Sequence, residues 1–288
     1  MRYDPEMLRR LQLLQLEILK DVDRVCRAEG ITYFLDGGTL LGAMRHGGFI
    51  PWDDDIDLGM PRTDYERFMQ VAPRALGERY RVSDPRTCPQ QAGMFGKVCR
   101  SGTRFHTRET LDAGFDQGVF IDIFPYDVMH ADPRVAARQR ARCRQLQSAL
   151  YLLHSGCVGV PHTGALGEAE KAVCRVAHAV LGLASDHRRL VERFEREAAR
   201  GLESPGREYA TLAWPSITLP AEGFDRVSPL SFEGCEFFGP ADPERHLSIM
   251  YGDGWTELPP VEARRNHAPL VLDLGEGGGA GPIVAARG

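Results

Sequence analysis

Hydrophobic residues recur at helical spacing from the start of the chain. Met7, Leu11, Leu14, Ile18, Val22 and Val25 form one stripe, so the pattern predicts a long helix over 4–29 with Gly30 as its stop. A short apolar run over 31–35 predicts a strand. Gly37-Gly38 then turns the chain, Thr39 is placed to cap a short helix over 40–46, and Gly47-Gly48 ends it. A strand is expected over 53–60 and a helix over 62–76, opened by Pro61. Residues 94–99 and 118–124 read as further strands. Residues 133–153, 166–183, 187–200 and 243–251 read as helices. The stretch 209–239, rich in Pro, Gly and aromatics, yields no assignment, and the glycine-rich tail over 275–288 predicts a flexible end. These elements give an α+β class: a mixed sheet flanked by helices, with a mainly helical C-terminal half. Residues 1–130 are expected to form the catalytic core with its N-terminal helix. Residues 131–272 would form a helical acceptor or lid region returning to that core, and 273–288 a tail.

The candidate chemistry lies on this pattern. In a strand over 53–60, side-chain alternation puts Asp53, Asp55 and Asp57 on one face. Ile56, Leu58 and Met60 take the other face with Trp52 and Asp54. Three like charges on one face repel, and a bound cation relieves them. Carboxylates suit a hard ion such as Mg²⁺ or Mn²⁺. Asp122 in GVFIDIFP is a lone charge in an apolar strand, and a metal shared with Asp55 and Asp57 would give it a partner. Strand, glycine turn, short helix, Asp-x-Asp strand and later single-Asp strand is the layout of a nucleotidyltransferase palm. Phosphoryl transfer uses such carboxylates to hold cations on the phosphate oxygens. The N–H groups of Gly37, Gly38 and Thr39, at a helix N-terminus, suit a phosphate. On spacing alone, a solvated acidic turn competes with this reading. A calcium-binding loop does not, because Leu58 stands where it needs Gly and Asp64 where it needs Glu.

Composition narrows the partners. The 288 residues are 43% hydrophobic and carry a net charge of -5, which gives no bulk attraction to nucleic acid. No run of 18 apolar residues predicts a membrane span. Seven cysteines without a Cys-x-x-Cys pair read as reduced thiols in a cytoplasmic protein, and the same spacing argues against a zinc site. Arg134, Arg138 and Arg142 make one helical stripe, an ordinary solvated face with weak attraction for an anionic acceptor. Lys97 is one of only three lysines. It either faces a donor diphosphate or is an exposed strand lysine, and both readings stay open.

The run FLDGGTLLGAMRHGGFIPWDDDIDLGMPRTDYERF resembles the core of the LicD family of phosphotransferases, relatives of the fukutin proteins. GVFIDIFPYD matches the family's second block, and YGDGWTELPPVEARRNH resembles its C-terminal block. The resemblance covers most of residues 30–127 and then 251–267. It implies a nucleotidyltransferase-like fold. It also implies transfer of a substituted phosphate, phosphocholine-like or polyol phosphate, from a CDP-linked alcohol to an acceptor hydroxyl with release of CMP. Acceptors would be a sugar, a glycan precursor or a small metabolite. By the same match, Asp55, Asp57 and Asp122 are expected to hold the metal and to be catalytic, with Asp53 and Asp54 as accessory acids. Asp36 would orient the glycine turn. Arg45 and His46 would contact phosphate rather than only suit a helix C-terminus. Arg264, Arg265 and His267 could reach an anionic donor, against the plainer reading of a solvated loop. Trp52 is expected in the core. Two alternatives stand: a nucleotidyltransferase moving NMP from an NTP, and a non-catalytic metal or nucleotide binder. A chain without a span would work on soluble precursors or touch the inner membrane surface peripherally.

Overall fold

In the computed structural model, the first helix, α1 (Pro5–Glu29), begins where Asp4 accepts the N–H groups of Glu6 and Met7. It ends where Gly30 takes the left-handed conformation. The structure describes residues 3–156, 164–214, 217–224, 226–264, 266–267 and 269–275. Arg265, Cys157 and the tail beyond Gly275 lie outside the described residues.

After β1 (Phe34–Leu35) come α2 (Gly37–His46), β2 (Asp57–Pro61), α3 (Arg62–Leu76) and β3 (Tyr80–Ser83). Then follow β4 (Gly96–Arg100), β5 (Arg104–His106), the short α4 (Arg108–Asp112) and the long β6 (Phe120–His130). Helices α5 (Pro133–His154), α6 (Gly164–Ala184) and α7 (His187–Ala198) follow, and then β7 (Pro205–Ala210) and β8 (Leu219–Pro220). The chain ends in the hairpin β9 (Val227–Phe232) and β10 (Cys235–Pro240), α8 (Pro243–Tyr251) and β11 (Val271–Asp273).

The main sheet runs β1-β2-β6-β4-β3, with β7 added along the far half of β6 and β8 beyond it. Among the described residues only β2 and β6 pair in parallel, which makes the sheet mixed. Leu11, Ile18, Leu19, Val22, Leu58, Phe68 and Ile121 are all inaccessible to solvent and share one cluster, so α1 and α3 bury their apolar stripes on this sheet. A second cluster joins Cys143, Leu150 and Phe194 of α5 and α7 to Phe95 and Met129 of the core. The described residues thus form an α+β protein.

Three local expectations are corrected. β2 starts at Asp57, and residues 53–56 are extended chain without ladder pairing. The alternation survives: Asp54, Ile56 and Leu58 are fully buried while Asp53, Asp55 and Asp57 are only partly so. Helix α2 begins at Gly37, not Leu40, so Asp36 takes the cap position and Thr39 lies inside the helix. The unassigned stretch contains the end of β7, then β8 and a hairpin. A two-residue turn at Glu233-Gly234, with both φ angles positive, closes the hairpin.

Candidate active site

The acidic residues meet at one end of the parallel pair. Asp57 and Asp122 are register partners on β2 and β6, and Lys97 of β4 is the partner of Asp122 on its other side. Asp55, Asp57, Asp122 and Lys97 line a cleft of about 780 Å³ together with Asp36, Gly37, Gly38 and His267. Its outer walls come from Phe105, Phe115 and Phe120, from Tyr151 and His154 of α5, and from Trp214 and Tyr251.

Glycine brings helix α2 against the acids. Gly37 has φ of +51°, and a side chain there would begin 2.8 Å from Asp57 Oδ2. At Gly38 the added carbon would fall 2.8 Å from Asp53 Oδ2. The first N–H groups of a helix have no intrahelical partner, so this end of α2 faces the cleft with donors and the positive end of its dipole. Thr39 is buried behind the cleft, and its hydroxyl accepts the Asp57 N–H at 2.8 Å, which locks β2 to α2. Asp36 is buried too. Its carboxylate accepts from Tyr126 at 2.6 Å and pairs with His246 at 2.9 Å, while its N–H reaches the Asp57 carbonyl. Both side-chain partners fix the residue that opens the glycine turn.

The electrostatics are those of crowded anions. Burial raises the carboxyls of Asp55 and Asp122 and raises those of Asp53 and Asp57 furthest. Neighbouring carboxylates add to the rise at Asp53 and Asp57, and a hydrogen bond joins Asp53 to Asp55. Lys97 opposes the rise at Asp122: its Nζ lies 2.6 Å from Asp122 Oδ1 and 3.6 Å over the Phe120 ring. Lys97 is buried, so the exposed-strand reading does not hold. Asp54 differs. Burial would raise it, but hydrogen bonds from His267 and Tyr3 outweigh that and hold it below the usual range. In return Asp54, and then the charge of Asp55, push His267 up to about 9 against the opposing effect of burial.

Asp54, Asp55 and His267 each offer a ligand atom, all within 4.8 Å of one another. This grouping shares Asp55 with the set expected from sequence. The cleft gathers several carboxylates against one lysine, an excess of negative charge that suits a hard divalent cation.

The structure does not bring Arg45 and His46 to the cleft. They lie at the far end of α2, about 12 Å along the helix from Gly37. Arg45 donates to the carbonyls of Trp255 and Glu257. Arg264 lies 4.3 Å over the half-buried Trp52 ring, which packs against the core. Among the residues that sequence reasoning missed, Gln12 and Gln15 of α1 donate to the Asp53 and Asp54 carbonyls at 2.9 and 2.7 Å and hold the acidic loop. A polar pair inside an apolar helical stripe was the signal. Tyr126 could have been found as the second alternate residue after Asp122 on β6. His246 lies 210 positions from Asp36 and carried no signal.

Comparison with known proteins matches residues 30–148 to the LicD/FKTN/FKRP nucleotidyltransferase domain. The lipopolysaccharide cholinephosphotransferase LicD of Haemophilus influenzae is 31% identical over 266 residues, 90% of this chain and 95% of that protein. The chain belongs to the LicD family. It is therefore an enzyme of the phosphotransferase class, as its LicD relatives are. Human ribitol 5-phosphate transferase FKRP is 54% identical over 44 residues, which are 15% of this chain and 9% of that one. An uncharacterised protein of Rickettsia typhi is 40% identical over 81 residues, 28% of this chain and 26% of that one. Among the described residues, no helix of this LicD-family protein is long and apolar enough to cross a membrane.

Proposed function

We propose that the protein moves a substituted phosphate, phosphocholine or a polyol phosphate, from a CDP-linked alcohol to the hydroxyl of a sugar, glycan precursor or small metabolite. CMP is the leaving group. The supporting observation is the pairing of Asp57 with Asp122 beside the α2 N-terminus, in one cleft of about 780 Å³. Asp55, Asp57 and Asp122 would hold Mg²⁺ or Mn²⁺, with Asp53 and Asp54 as accessory acids. When bound, the ion supplies charge neutralisation on the diphosphate and a lower pKa for the attacking hydroxyl. The backbone N–H groups of Gly37 and Gly38 would receive phosphate oxygens. Lys97 would hold Asp122 in place and offset the anionic charge. The acceptor proton would leave to a carboxylate of the acidic cluster that does not hold the cation, or to solvent. Residues 131–272 supply Tyr151, His154, Thr211 and Trp214 to the cleft rim, which fits an acceptor platform. The reading carries with it work on the cytoplasmic side.

The test is product analysis. Purified protein is incubated with Mn²⁺ or Mg²⁺ and a panel of CDP-alcohols and NTPs, and nucleotide products are followed by mass spectrometry. CMP from one CDP-alcohol is expected. Pyrophosphate from an NTP would move the protein to the nucleotidyltransferases instead.

A further inference from the structure

Asp54 stands among the cleft acids in sequence but not in space. Asp55 and Asp57 line the cleft, whereas strand alternation turns Asp54 to the other side, where it is inaccessible to solvent. A carboxylate buried there costs free energy unless its oxygens are paired. Its partners come from both ends of the chain. Tyr3 donates its hydroxyl to Oδ2 at 2.7 Å. His267 donates its backbone N–H to Oδ1 and Oδ2, at 2.9 and 3.1 Å, and holds its ring Nδ1 3.2 Å from Oδ1. Beside this contact, Asn266 donates to the Trp52 carbonyl at 3.4 Å. Asp54 thus grips the backbone and the ring of His267 together, across 213 positions of chain.

The grip aims the ring. With Nδ1 turned to Asp54, the imidazole has its other nitrogen, Nε2, left for the cleft, which His267 lines together with Asp55, Asp57 and Asp122. The His267 side chain keeps 54% of its surface and that of Asp54 keeps none. A carboxylate that holds one ring nitrogen of a histidine sets the direction of the other. Two uses of that direction compete. Asp54, Asp55 and His267 could share a cation, or the ring could meet a phosphate oxygen in the cleft. The second is favoured, because the Asp54 oxygens are already taken by Tyr3 and His267, and a cation would displace those donors.

We propose that Asp54 is a positioning residue: it holds His267 so that Nε2 meets a phosphate oxygen of a diphosphate bound in the cleft. Tyr3 steadies Asp54 from the far side. That the diphosphate belongs to a CDP-linked donor rests on the phosphotransfer reading, and the grip on His267 does not.

The test is calorimetric binding of Mg²⁺-pyrophosphate to the full chain, with binding of Mn²⁺ alone followed by electron paramagnetic resonance. His267→Gln and Asp54→Asn should each weaken pyrophosphate about tenfold, the loss of one hydrogen bond to a charged group. The double variant Asp54→Asn/His267→Gln should bind no more weakly than His267→Gln, because Asp54 acts through His267. Tyr3→Phe, which leaves Asp54 itself in place, should show a smaller loss that vanishes in the His267→Gln background. Mn²⁺ affinity should be the same in all of them. Losses that add in the double variant would make Asp54 a purely structural residue and overturn the proposal. So would wild-type pyrophosphate affinity in Asp54→Asn, or no pyrophosphate binding by the wild type. A fall in Mn²⁺ affinity in His267→Gln would overturn it as well, because the ring would then be a metal ligand. Pyrophosphate carries neither base nor alcohol, so this result and the outcome of the CMP-release assay are separate.

Discussion

At the scale of single residues, the site is a set of anions held closer than water would allow, offset by one buried ammonium. Lys97 touches Asp122 and lies between the rings of Phe95 and Phe120. Removing one member of a buried pair leaves the other uncompensated, which costs about 3 kcal/mol or more. Urea unfolding of metal-free Lys97→Met should register that loss. Lys97→Arg should not restore it, since a planar fork does not replace a point charge in this slot. The glycines obey a harder rule. Gly37→Ala forces a side chain into positive φ and against Asp57, so turnover should fall at least about tenfold while stability falls by more than about 1 kcal/mol. An Ala variant with unchanged kcat would show that the closeness of α2 to Asp57 is not needed.

Elements explain why some of this was legible in the sequence and some was not. Helical stripes and caps are local, so α1, α3 and α5 stand within a few residues of where the pattern puts them. The Asp alternation was legible because burial of Ile56 and Leu58 dictates it, even though hydrogen-bonded pairing starts only at Asp57. The cap of α2 was misread because Thr39 carries a good capping side chain, yet that hydroxyl serves Asp57 across the fold. β7 was illegible for the same reason, since it pairs with β6 far back in the chain, whereas β9 and β10 pair locally but around a turn that opens on Glu233 instead of Asn, Asp or Gly. Glu233 is the clearest case. It is the one non-glycine with positive φ among the described residues, a strained conformation. Its carboxylate accepts the Phe49 N–H and the Arg9 guanidinium, tying the hairpin tip to the loop after α2. Glu233→Ala loses both contacts and should lower stability by about 1–2 kcal/mol in chemical denaturation. Glu233→Gly should recover part of that by relieving the strain.

For the molecule as a whole, the acidic cleft makes stability depend on pH and cation together. Asp53, Asp55, Asp57 and Asp122 have native carboxyls raised above the ordinary 3.8, so the folded state binds more protons than the unfolded one above that pH. Stability of the metal-free protein therefore falls as pH rises from about 4 through the raised values. A divalent cation replaces the missing protons, so the gain in Tm on adding Mg²⁺ or Mn²⁺ should be larger at pH 8 than at pH 5. Equal gains would place the cation outside the carboxylate cluster. On the proposed function, this cleft breaks a CDP-linked donor with Asp57 and Asp122 as working acids. The most direct measurement compares the rate of CMP release by wild type, Asp57→Asn and Asp122→Asn with the same CDP-alcohol and cation. The wild type should release CMP, and each variant should lose about a hundredfold or more at unchanged fold. Release at the wild-type rate by either variant would contradict it.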